Sequence, residues 1–321
     1  SCSVGNEAGN SITDLRCEYQ RSPLTVDVQA PRFTWIYDGV DGFVQHSYSL
    51  AVASSEEKLS SPDIWCSGTV TSSVPFARME DTGLMVSDHE YFWQVTAWNA
   101  DSTKVLVSEP AKFRTALMGR TDWKAVWVTD SHDKDFEAAP MFRKEFDAGQ
   151  DVVSARVYMS ACAYAEVRLN GEPVSDAFLD PGYTHYDKRN LYTVTDVTGK
   201  VRSGENVITA VLGNGFYNEI KPVATWNFEN ARWRGRARFI LELHVTHADG
   251  TTSVIASDKT WKTTADGPYI SNNIYSGDTY DARKEIAGWY ETGFDDSSWS
   301  TAREVPDPSP LLVAQKMPQI R

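Results

Sequence analysis

The densest group of polar side chains that could bind a small molecule lies in the last fifth of the sequence. The segment Gly277–Arg283 reads GDTYDAR and contains Asp278, Tyr280, Asp281 and Arg283. A carboxylate can accept hydrogen bonds from two hydroxyl groups of a polyol, and a guanidinium can hold that carboxylate in place. The alternative is a buried Asp281–Arg283 ion pair that only stabilises the loop. Both interpretations are kept, because they can hold together.

A second candidate is the segment from Asn218 to Arg234, which is long and rich in aromatic residues. It contains Trp226, Phe228 and Trp233. Exposed aromatic side chains in a long loop commonly contact sugar rings or another domain. The same rings could instead cover the hydrophobic core below the loop. Trp226 is therefore a candidate binding residue for an uncharged sugar, with a packing role as the alternative.

The residue types that catalyse hydrolysis occur here without suitable partners. Asp295 and Asp296 are adjacent, so their side chains point in different directions, and we assign them to the turn before Trp299. His185 has no evident serine or cysteine partner for nucleophilic catalysis. The sequence therefore predicts no catalytic residue.

The cysteines are Cys2, Cys17, Cys66 and Cys162. Their spacing matches neither a zinc site nor a redox-active pair. Cys2 stands in Ser-Cys-Ser, ahead of a polar stretch that contains glycine and asparagine, and this resembles a bacterial lipoprotein after removal of its signal peptide. We expect residues 1–10 to be a flexible tether, with a possible lipid anchor at Cys2. The protein would then be exported, as a periplasmic or outer-membrane lipoprotein; an ordinary terminal cysteine is the alternative.

Charge argues against a nucleic-acid partner. The chain carries 31 basic and 44 acidic residues, a net charge of −13 at pH 7, whereas phosphate binding needs a clustered basic surface. The one basic cluster, at positions 232, 234, 236 and 238, alternates as one face of a strand would. No apolar run approaches the roughly 20 residues that cross a bilayer, so we expect no transmembrane segment. An acidic surface suits a neutral ligand.

The elements that would hold these residues are β-strands. Apolar and polar residues alternate in 91–97, 165–169 and 239–245, which is typical of half-buried strands. Turn sequences such as Asn170-Gly171 and Asp249-Gly250 separate such runs. No long amphipathic helix is evident. This pattern predicts an all-β chain of sandwich or jelly-roll type.

A domain boundary is expected between residues 115 and 125. Residues 11–118 have roughly the length of an immunoglobulin or fibronectin-III-like sandwich. Residues 119–321 would form the larger jelly-roll β-sandwich.

Ordered motifs across both predicted domains resemble the N-terminal region of bacterial α-L-rhamnosidases of glycoside hydrolase family 78. In the first domain these include Pro31–Trp35, Trp65–Gly68 and Tyr91–Val95. In the second they include Tyr164–Gly171, Leu179–Tyr186, Leu212–Tyr217, Gly277–Arg283 and Phe294–Trp299. The Gly277–Arg283 motif is the sharpest of these, although Asp278 stands where the family usually has glutamate.

The resemblance implies a spacer domain followed by a jelly roll related to rhamnose-binding modules. Full-length members hydrolyse terminal α-L-rhamnosyl residues with inversion, which needs an acid and a base on separate carboxyl groups. In the family these lie in an (α/α)6 barrel, and this sequence has no helical stretches to build one. We therefore expect an inactive accessory fragment, with L-rhamnose or a rhamnosylated glycan and its own downstream catalytic domain as partners.

The same resemblance implies a calcium site. Related rhamnose-binding modules hold the ion with Asx side chains and backbone carbonyls, and calcium favours six to eight oxygen ligands. The corresponding candidates are Asn170, Asn218 and the carbonyl of Pro222. Leu169 stands where an acidic neighbour is expected, and Asn170-Gly171 is equally typical of a two-residue hairpin turn.

Two other interpretations stay open on the sequence. Both domains could be purely structural and brace a catalytic domain. The larger domain could also be the sugar-binding jelly roll of a different glycoside hydrolase, such as a β-galactosidase-like enzyme, although the Gly277–Arg283 motif argues against that.

Overall fold

The structure is a computed structural model that describes residues 11–221 and 227–321. Contacts divide the chain into two compact units, which meet in sequence between Met118 and Gly119. The regular secondary structure of each unit is almost entirely β-strand, with a few short 3-10 helices. The predicted all-β class, an immunoglobulin-like domain and a larger β-sandwich, is confirmed. Within the described ranges, no helix is long and apolar enough to cross a membrane.

The smaller unit consists of two antiparallel sheets. Its strands are β1 (Ser11–Cys17), β2 (Arg32–Asp38), β3 (Ser47–Ala53), β4 (Trp65–Cys66), β5 (Val70–Thr71), β6 (Phe76–Arg78), β7 (Glu90–Trp98), β8 (Val105–Val107) and β9 (Ala111–Arg114). One sheet has the order β1-β2-β6, and the other has the order β4-β3-β7-β8, with β5 added to β3 and β9 to β7. A 3-10 helix spans Glu56–Ser60.

Aromatic rings fill the core of the smaller unit. Along β7 every second residue is buried, and Tyr91, Trp93 and Val95 form the inward row that the sequence predicted. The rings of Trp93 and Phe33 lie 4.8 Å apart, and Phe113 packs edge-on against Phe33 at 5.9 Å. Such contacts combine a large buried apolar area with favourable ring geometry.

The larger unit contains two sheets of a sandwich and a separate hairpin. Its strands are β10 (Trp127–Thr129), β11 (Met141–Asp147), β12 (Val152–Cys162), β13 (Tyr164–Leu169), β14 (Glu172–Pro173), β15 (Asn190–Asp196), β16 (Glu205–Gly213), β17 (Arg238–His247), β18 (Thr252–Ala256), β19 (Lys262–Thr264), β20 (Tyr269–Asn273), β21 (Gly277–Tyr280), β22 (Ser300–Thr301), β23 (Arg303–Val305) and β24 (Leu312–Ala314). Its 3-10 helices are Arg120–Asp122, Thr198–Lys200, Phe228–Asn230 and Ala282–Lys284.

The strand order places the two sheets face to face around one core. One sheet runs β23-β10-β17-β12-β15-β24, with β18 also paired to β17, and the other runs β14-β13-β16-β11-β19-β22. Phe239 and Leu241 of β17 join Phe142 of β11 and Ile208 of β16 in the buried cluster between them. Among the strands of the described residues, β20 and β21 pair only with each other, so this hairpin stands apart from the two sheets of the sandwich.

Strand β17 is buried on both faces, which its alternating sequence did not predict. Glu242 is fully buried on the face opposite Leu241 and Leu243. Its carboxylate accepts hydrogen bonds from the backbone N–H groups of Lys124 and Ala125 and contacts a ring nitrogen of His244 at 2.7 Å. The chain that enters the larger unit therefore covers this face.

The alternating arginines do not form one strand face. Arg238 is the first residue of β17, whereas Arg232 and Arg234 precede the strand. Arg236 is buried and makes a two-pronged ion pair with Asp130, with nitrogen–oxygen distances of 2.8 and 2.6 Å. This arginine is therefore a structural cation inside the unit, and the cluster is not a basic surface.

Candidate functional site

The Gly277–Arg283 motif begins in the hairpin β20–β21 and ends just beyond it. The hairpin turn is held by the Asn273 side chain, whose oxygen accepts hydrogen bonds from the backbone N–H groups of Tyr275 and Ser276, both at 2.9 Å. Gly277 has a φ of +78°, a conformation that favours glycine. The motif thus first specifies a turn, and the turn positions the polar residues after it.

Tyr280 is bound to its own loop. Its hydroxyl donates a hydrogen bond to Glu285 at 2.7 Å, and its ring packs edge-on against Tyr269. The hydrogen bond to Glu285, with a smaller contribution from burial, raises the pKa of Tyr280 to about 12. The hydroxyl therefore stays protonated, and its hydrogen is already donated within the loop.

Asp281 and Arg283 form an ion pair at the surface, so the interpretation of a buried bridge is wrong. Their closest nitrogen–oxygen distance is 2.7 Å, and the side chain of Arg283 is 90% exposed. Asp281 also accepts a hydrogen bond from the backbone N–H of Arg283 and caps the 3-10 helix Ala282–Lys284. These bonds hold the pKa of Asp281 below its ordinary value. The pair defines the end of the loop.

Asp278 faces a cleft of about 810 Å³ in the larger unit. Strands β13 and β16 form its floor, and the segment 173–180 and the β20–β21 hairpin form its walls. The cleft is lined by Ala139, Tyr164, Ala165, Glu166, Arg168, Pro173, Ser175, Asp176, Ala177, Phe178, Leu179, Asp180, Val211, Leu212, Gly213, Gly215, Tyr269, Asn272, Asn273, Ile274 and Asp278. Of the motif's four polar candidates, Asp278 is the one that lines it.

A second surface beside the hairpin is a cluster of aromatic rings, which we call the aromatic cluster: Tyr183, Phe216, Phe228, Trp233 and Tyr275. Tyr183 and Phe216 have ring centroids 5.1 Å apart, and Phe216 contacts Phe228 at 5.2 Å and Tyr275 at 5.8 Å. Tyr183 and Tyr275 are 44% and 46% exposed. The rings come from four separate segments and form one continuous apolar surface.

The sequence identified only part of this cluster. Phe228 and Trp233 were named in the long aromatic loop, whereas Tyr183, Phe216 and Tyr275 were not proposed as binding residues. Ring contacts between distant segments leave no local signal, although two of these residues lie in the motifs quoted above. Trp226 lies outside the described residues.

The calcium candidates do not come together. Asn170 bonds to Asn206 at one end of β16, and Asn218 bonds to Asn214, just past the other end. Asn214 lies eight positions after Asn206 along the strand, which at about 3.3 Å per step is roughly 26 Å. Asn170 and Asn218 therefore cannot share an ion.

The carboxamide oxygens of both candidates are also engaged. That of Asn170 accepts from the backbone N–H of Val207 at 3.0 Å, and that of Asn218 accepts from Arg234 at 3.2 Å. Asn170 and Gly171 both have positive φ, as the hairpin-turn alternative requires. Pro222, the third candidate, lies outside the described residues, and the described ones contain no group of three His, Cys, Asp or Glu side chains that could hold a metal. Asn170 and Asn218 do not fit the implied calcium site.

The sequence matches two family models, one for each unit. The family model of the α-L-rhamnosidase N-terminal domain matches residues 150–321, more than half of the chain. The chain belongs to the α-L-rhamnosidase N-terminal domain family. A second model, the Rha78A-like N-terminal immunoglobulin domain, matches residues 12–119 of this rhamnosidase-family chain. The family resemblance expected from the motifs is confirmed.

The similar proteins are much longer than the region that each shares with this chain. An α-L-rhamnosidase of Formosa agariphila is 35% identical over 94% of this chain and 34% of its own length. An α-L-rhamnosidase of an Alteromonas species is 29% identical over 94% of this chain and 34% of its own length. The rhamnosidase-family chain thus spans about a third of the length of these curated relatives.

Solved structures agree with the fold. The α-L-rhamnosidase of Dictyoglumus thermophilum superposes with a TM-score of 0.84 at 34% identity, covering 96% of this chain and 35% of that one. The Streptomyces avermitilis α-L-rhamnosidase, solved with L-rhamnose, gives a TM-score of 0.83 at 23% identity, covering 95% and 46%. The second likeness concerns the fold alone. Residues 1–10, with the expected tether and Cys2, lie outside the described part of this rhamnosidase-family chain.

Proposed function

We propose that this chain is the accessory β-region of an α-L-rhamnosidase, and that its larger unit binds a terminal L-rhamnosyl unit on the aromatic cluster. Membership of the family and the shared length with named rhamnosidases support the first part. The exposed cluster of aromatic rings carries the second part.

The cluster matches the chemistry of a deoxy sugar. Aromatic faces pack against the C–H faces of sugar rings, and L-rhamnose adds a methyl group at C6. Phe216 contacts three other rings of the cluster, so the platform is fixed before the sugar arrives. Pre-organised rings lose little conformational entropy on binding.

Hydrolysis would belong to a part of the longer protein outside this chain. Inverting glycosidases need two carboxyl groups roughly 6.5–9.5 Å apart, on either side of the scissile bond. The adjacent acidic residues do not make such a pair, because Asp296 binds the buried Arg143 and Asp295 accepts a hydrogen bond from the backbone N–H of Ser297. We therefore expect the longer protein to release rhamnose and this chain alone to release none.

The binding proposal is tested by calorimetric titration of the chain with L-rhamnose. We expect measurable heat at millimolar sugar, and at least about tenfold weaker binding after Tyr183→Ala. Tyr290→Ala is the matched control, since Tyr290 is 40% exposed and lies outside the cluster. A chelator should leave the affinity unchanged, because Asn170 and Asn218 cannot share an ion.

Two results would overturn the proposal. Absence of heat at millimolar rhamnose would exclude the aromatic cluster as a rhamnose site. Equal binding by the Tyr183→Ala and Tyr290→Ala variants would move the sugar away from the aromatic cluster.

A further inference from the structure

The cleft beside Asp278 is a different surface from the aromatic cluster. None of the cluster's rings lines it, although the β20–β21 hairpin contributes to both: Tyr275 at its tip to the cluster, and Asn272 and Asp278 in its strands to the cleft. Its volume of about 810 Å³ lies in the upper part of the range that buries drug-sized ligands, roughly 300–1,000 Å³. A single sugar ring would fill only part of it.

The floor of the cleft is shaped by two glycines and a tyrosine. A Cβ atom at Gly215 would lie 2.5 Å from the Cβ of Ala163 and 2.7 Å from the ring of Tyr164, so glycine is required for this close packing. At Gly213, by contrast, a Cβ atom would meet nothing closer than 3.8 Å. Gly213, Gly215 and the half-buried Tyr164 therefore all line the cleft without a bulky side chain at either glycine position.

One buried polar atom at the wall has no hydrogen-bond partner among the residues that the structure describes. The side-chain oxygen of Asn272 accepts a hydrogen bond from the backbone N–H of Asn214 at 2.6 Å, which fixes the carboxamide. Its nitrogen is buried and donates no hydrogen bond within the described structure. Such buried donors are uncommon in native proteins, because leaving them unsatisfied is costly. Because this nitrogen is closed off from solvent, Asn272 serves here as a fixed part of the wall of the cleft.

We propose that this cleft is a second glycan-binding site, which takes two or more consecutive units of an uncharged oligosaccharide. Sugar hydroxyls both donate and accept, and the cleft offers both kinds of partner. The hydroxyl groups of the lining residues Ser175 and Tyr269 can donate, and the exposed carboxylate of Asp278 is an acceptor. The rings of Tyr164 and Tyr269 supply apolar surface, and burial raises the pKa of both hydroxyls, so they stay protonated.

Charge determines the class of oligosaccharide. The cleft is lined by Glu166, Asp176, Asp180 and Asp278 and by one cation, Arg168. Arg168 is already paired with Glu166 at 2.6 Å. A uronate carboxylate would therefore meet repulsion without a free lining guanidinium to bind it, so neutral sugars are favoured.

The first test closes the cleft. Gly213→Leu places a side chain among the residues that line it, and Gly199→Leu is the matched control on an exposed site with open space around it. The probe is an α-linked rhamnotriose, titrated into the intact chain by calorimetry. We expect Gly213→Leu to weaken binding at least about tenfold and Gly199→Leu to leave it unchanged. Equal affinities of two folded variants, checked by near-UV circular dichroism, would overturn the proposal.

The second test needs no change in shape. Asp278→Asn keeps the side-chain size, and Asp278 is exposed, so the variant should fold. The probes are the rhamnotriose and a tetrasaccharide of alternating rhamnose and galacturonate. We expect the neutral probe to bind at least about tenfold more tightly to the unaltered chain, and Asp278→Asn to reduce that preference several-fold. A preference for the uronate probe would contradict the inference.

Failure of the cleft proposal can be distinguished from failure of the proposed rhamnose site on the aromatic cluster. Tyr183→Ala should weaken the binding of the monosaccharide L-rhamnose and leave the cleft intact, whereas Gly213→Leu should do the reverse. Loss of trisaccharide binding in Tyr183→Ala alone would assign the whole ligand to the aromatic cluster and exclude the cleft.

Discussion

The core of the smaller unit and the aromatic cluster of the larger unit use aromatic residues differently. In the smaller unit Phe33, Trp35, Trp93 and Phe113 are at most 1% exposed and belong to one buried cluster. In the larger unit a comparable group of rings, the aromatic cluster, lies partly exposed at the surface. Buried rings contribute stability through the area they remove from water. Contiguous exposed rings lack that benefit and mark surfaces used for recognition.

We therefore expect the buried rings to contribute to stability and the exposed rings to contribute to sugar binding. Substitutions of core rings in the smaller unit should reduce the free energy of unfolding, whereas substitutions in the aromatic cluster should reduce affinity for sugar.

Trp93→Ala should have the largest effect on stability. Trp93 is fully buried, and its truncation leaves a cavity beside Phe33. We expect the unfolding free energy of the smaller unit to fall by about 4 kcal/mol, as measured by denaturant titration. Phe76→Ala is the control, since Phe76 is 38% exposed in the same unit. If both variants lost the same small amount, Trp93 would not be a core residue.

Arg236→Met should destabilise the larger unit by about 3 kcal/mol, because it leaves the Asp130 carboxylate buried without its cation. Burial alone would raise the pKa of Asp130, but the hydrogen bonds and charge of Arg236 outweigh it and hold this pKa below its ordinary value of 3.8. The stability that the pair supplies is therefore present above pH 3.8 and is lost as the pH falls below it. Denaturation of the unaltered chain at pH values above and below 3.8 should show this loss.

The double variant Asp130→Asn/Arg236→Met is the control for that pH dependence. It removes the titrating carboxylate together with its partner, so its stability should vary less over the same pH range. An equally steep loss in the double variant would assign the acid sensitivity to other groups.

Local sequence patterns predicted the fold class and several strands and turns, but they did not predict contacts between residues that are distant in sequence. The inward row of Trp93 and the hairpin turn at Asn170 follow from residue alternation and turn chemistry, which act over a few residues. The buried face of β17 depends on Glu242 bonding to Lys124, which lies 118 residues away in sequence. No local pattern encodes that contact.

Prediction of the candidate site from sequence is limited in the same way, because its residues are distant in sequence. The family resemblance implied that Asn170 and Asn218 are ligands of one calcium ion, but the length of β16 shows that they are too far apart to share it. Likewise, Phe216 and Tyr275 become neighbours only when the hairpin folds beside the segment after β16. Spacing in sequence predicts a site reliably only when one element holds all of its residues.

Phe228→Ala tests the other half of the contrast. Phe228 is partly exposed and contacts Phe216, so its truncation should cost less than about 1 kcal/mol of stability, as for most surface substitutions. Affinity for L-rhamnose should nevertheless fall by about tenfold, because part of the stacking surface is removed. Calorimetry and denaturant titration on the same sample measure both. A large loss of stability would place Phe228 with the core rings and weaken the contrast.

Asp281→Ala should have the smallest effect, and it separates the two halves of the Gly277–Arg283 motif. Asp281 holds Arg283 and caps a short 3-10 helix at the surface, whereas Asp278 faces the cleft. The substitution should therefore leave the affinity for both L-rhamnose and rhamnotriose unchanged in calorimetry, while Asp278→Asn alters the preference between neutral and acidic probes. If Asp281→Ala weakened either sugar as much as the cleft and cluster variants do, the surface ion pair would itself contact the glycan. The binding surface would then extend past the hairpin to the end of the motif.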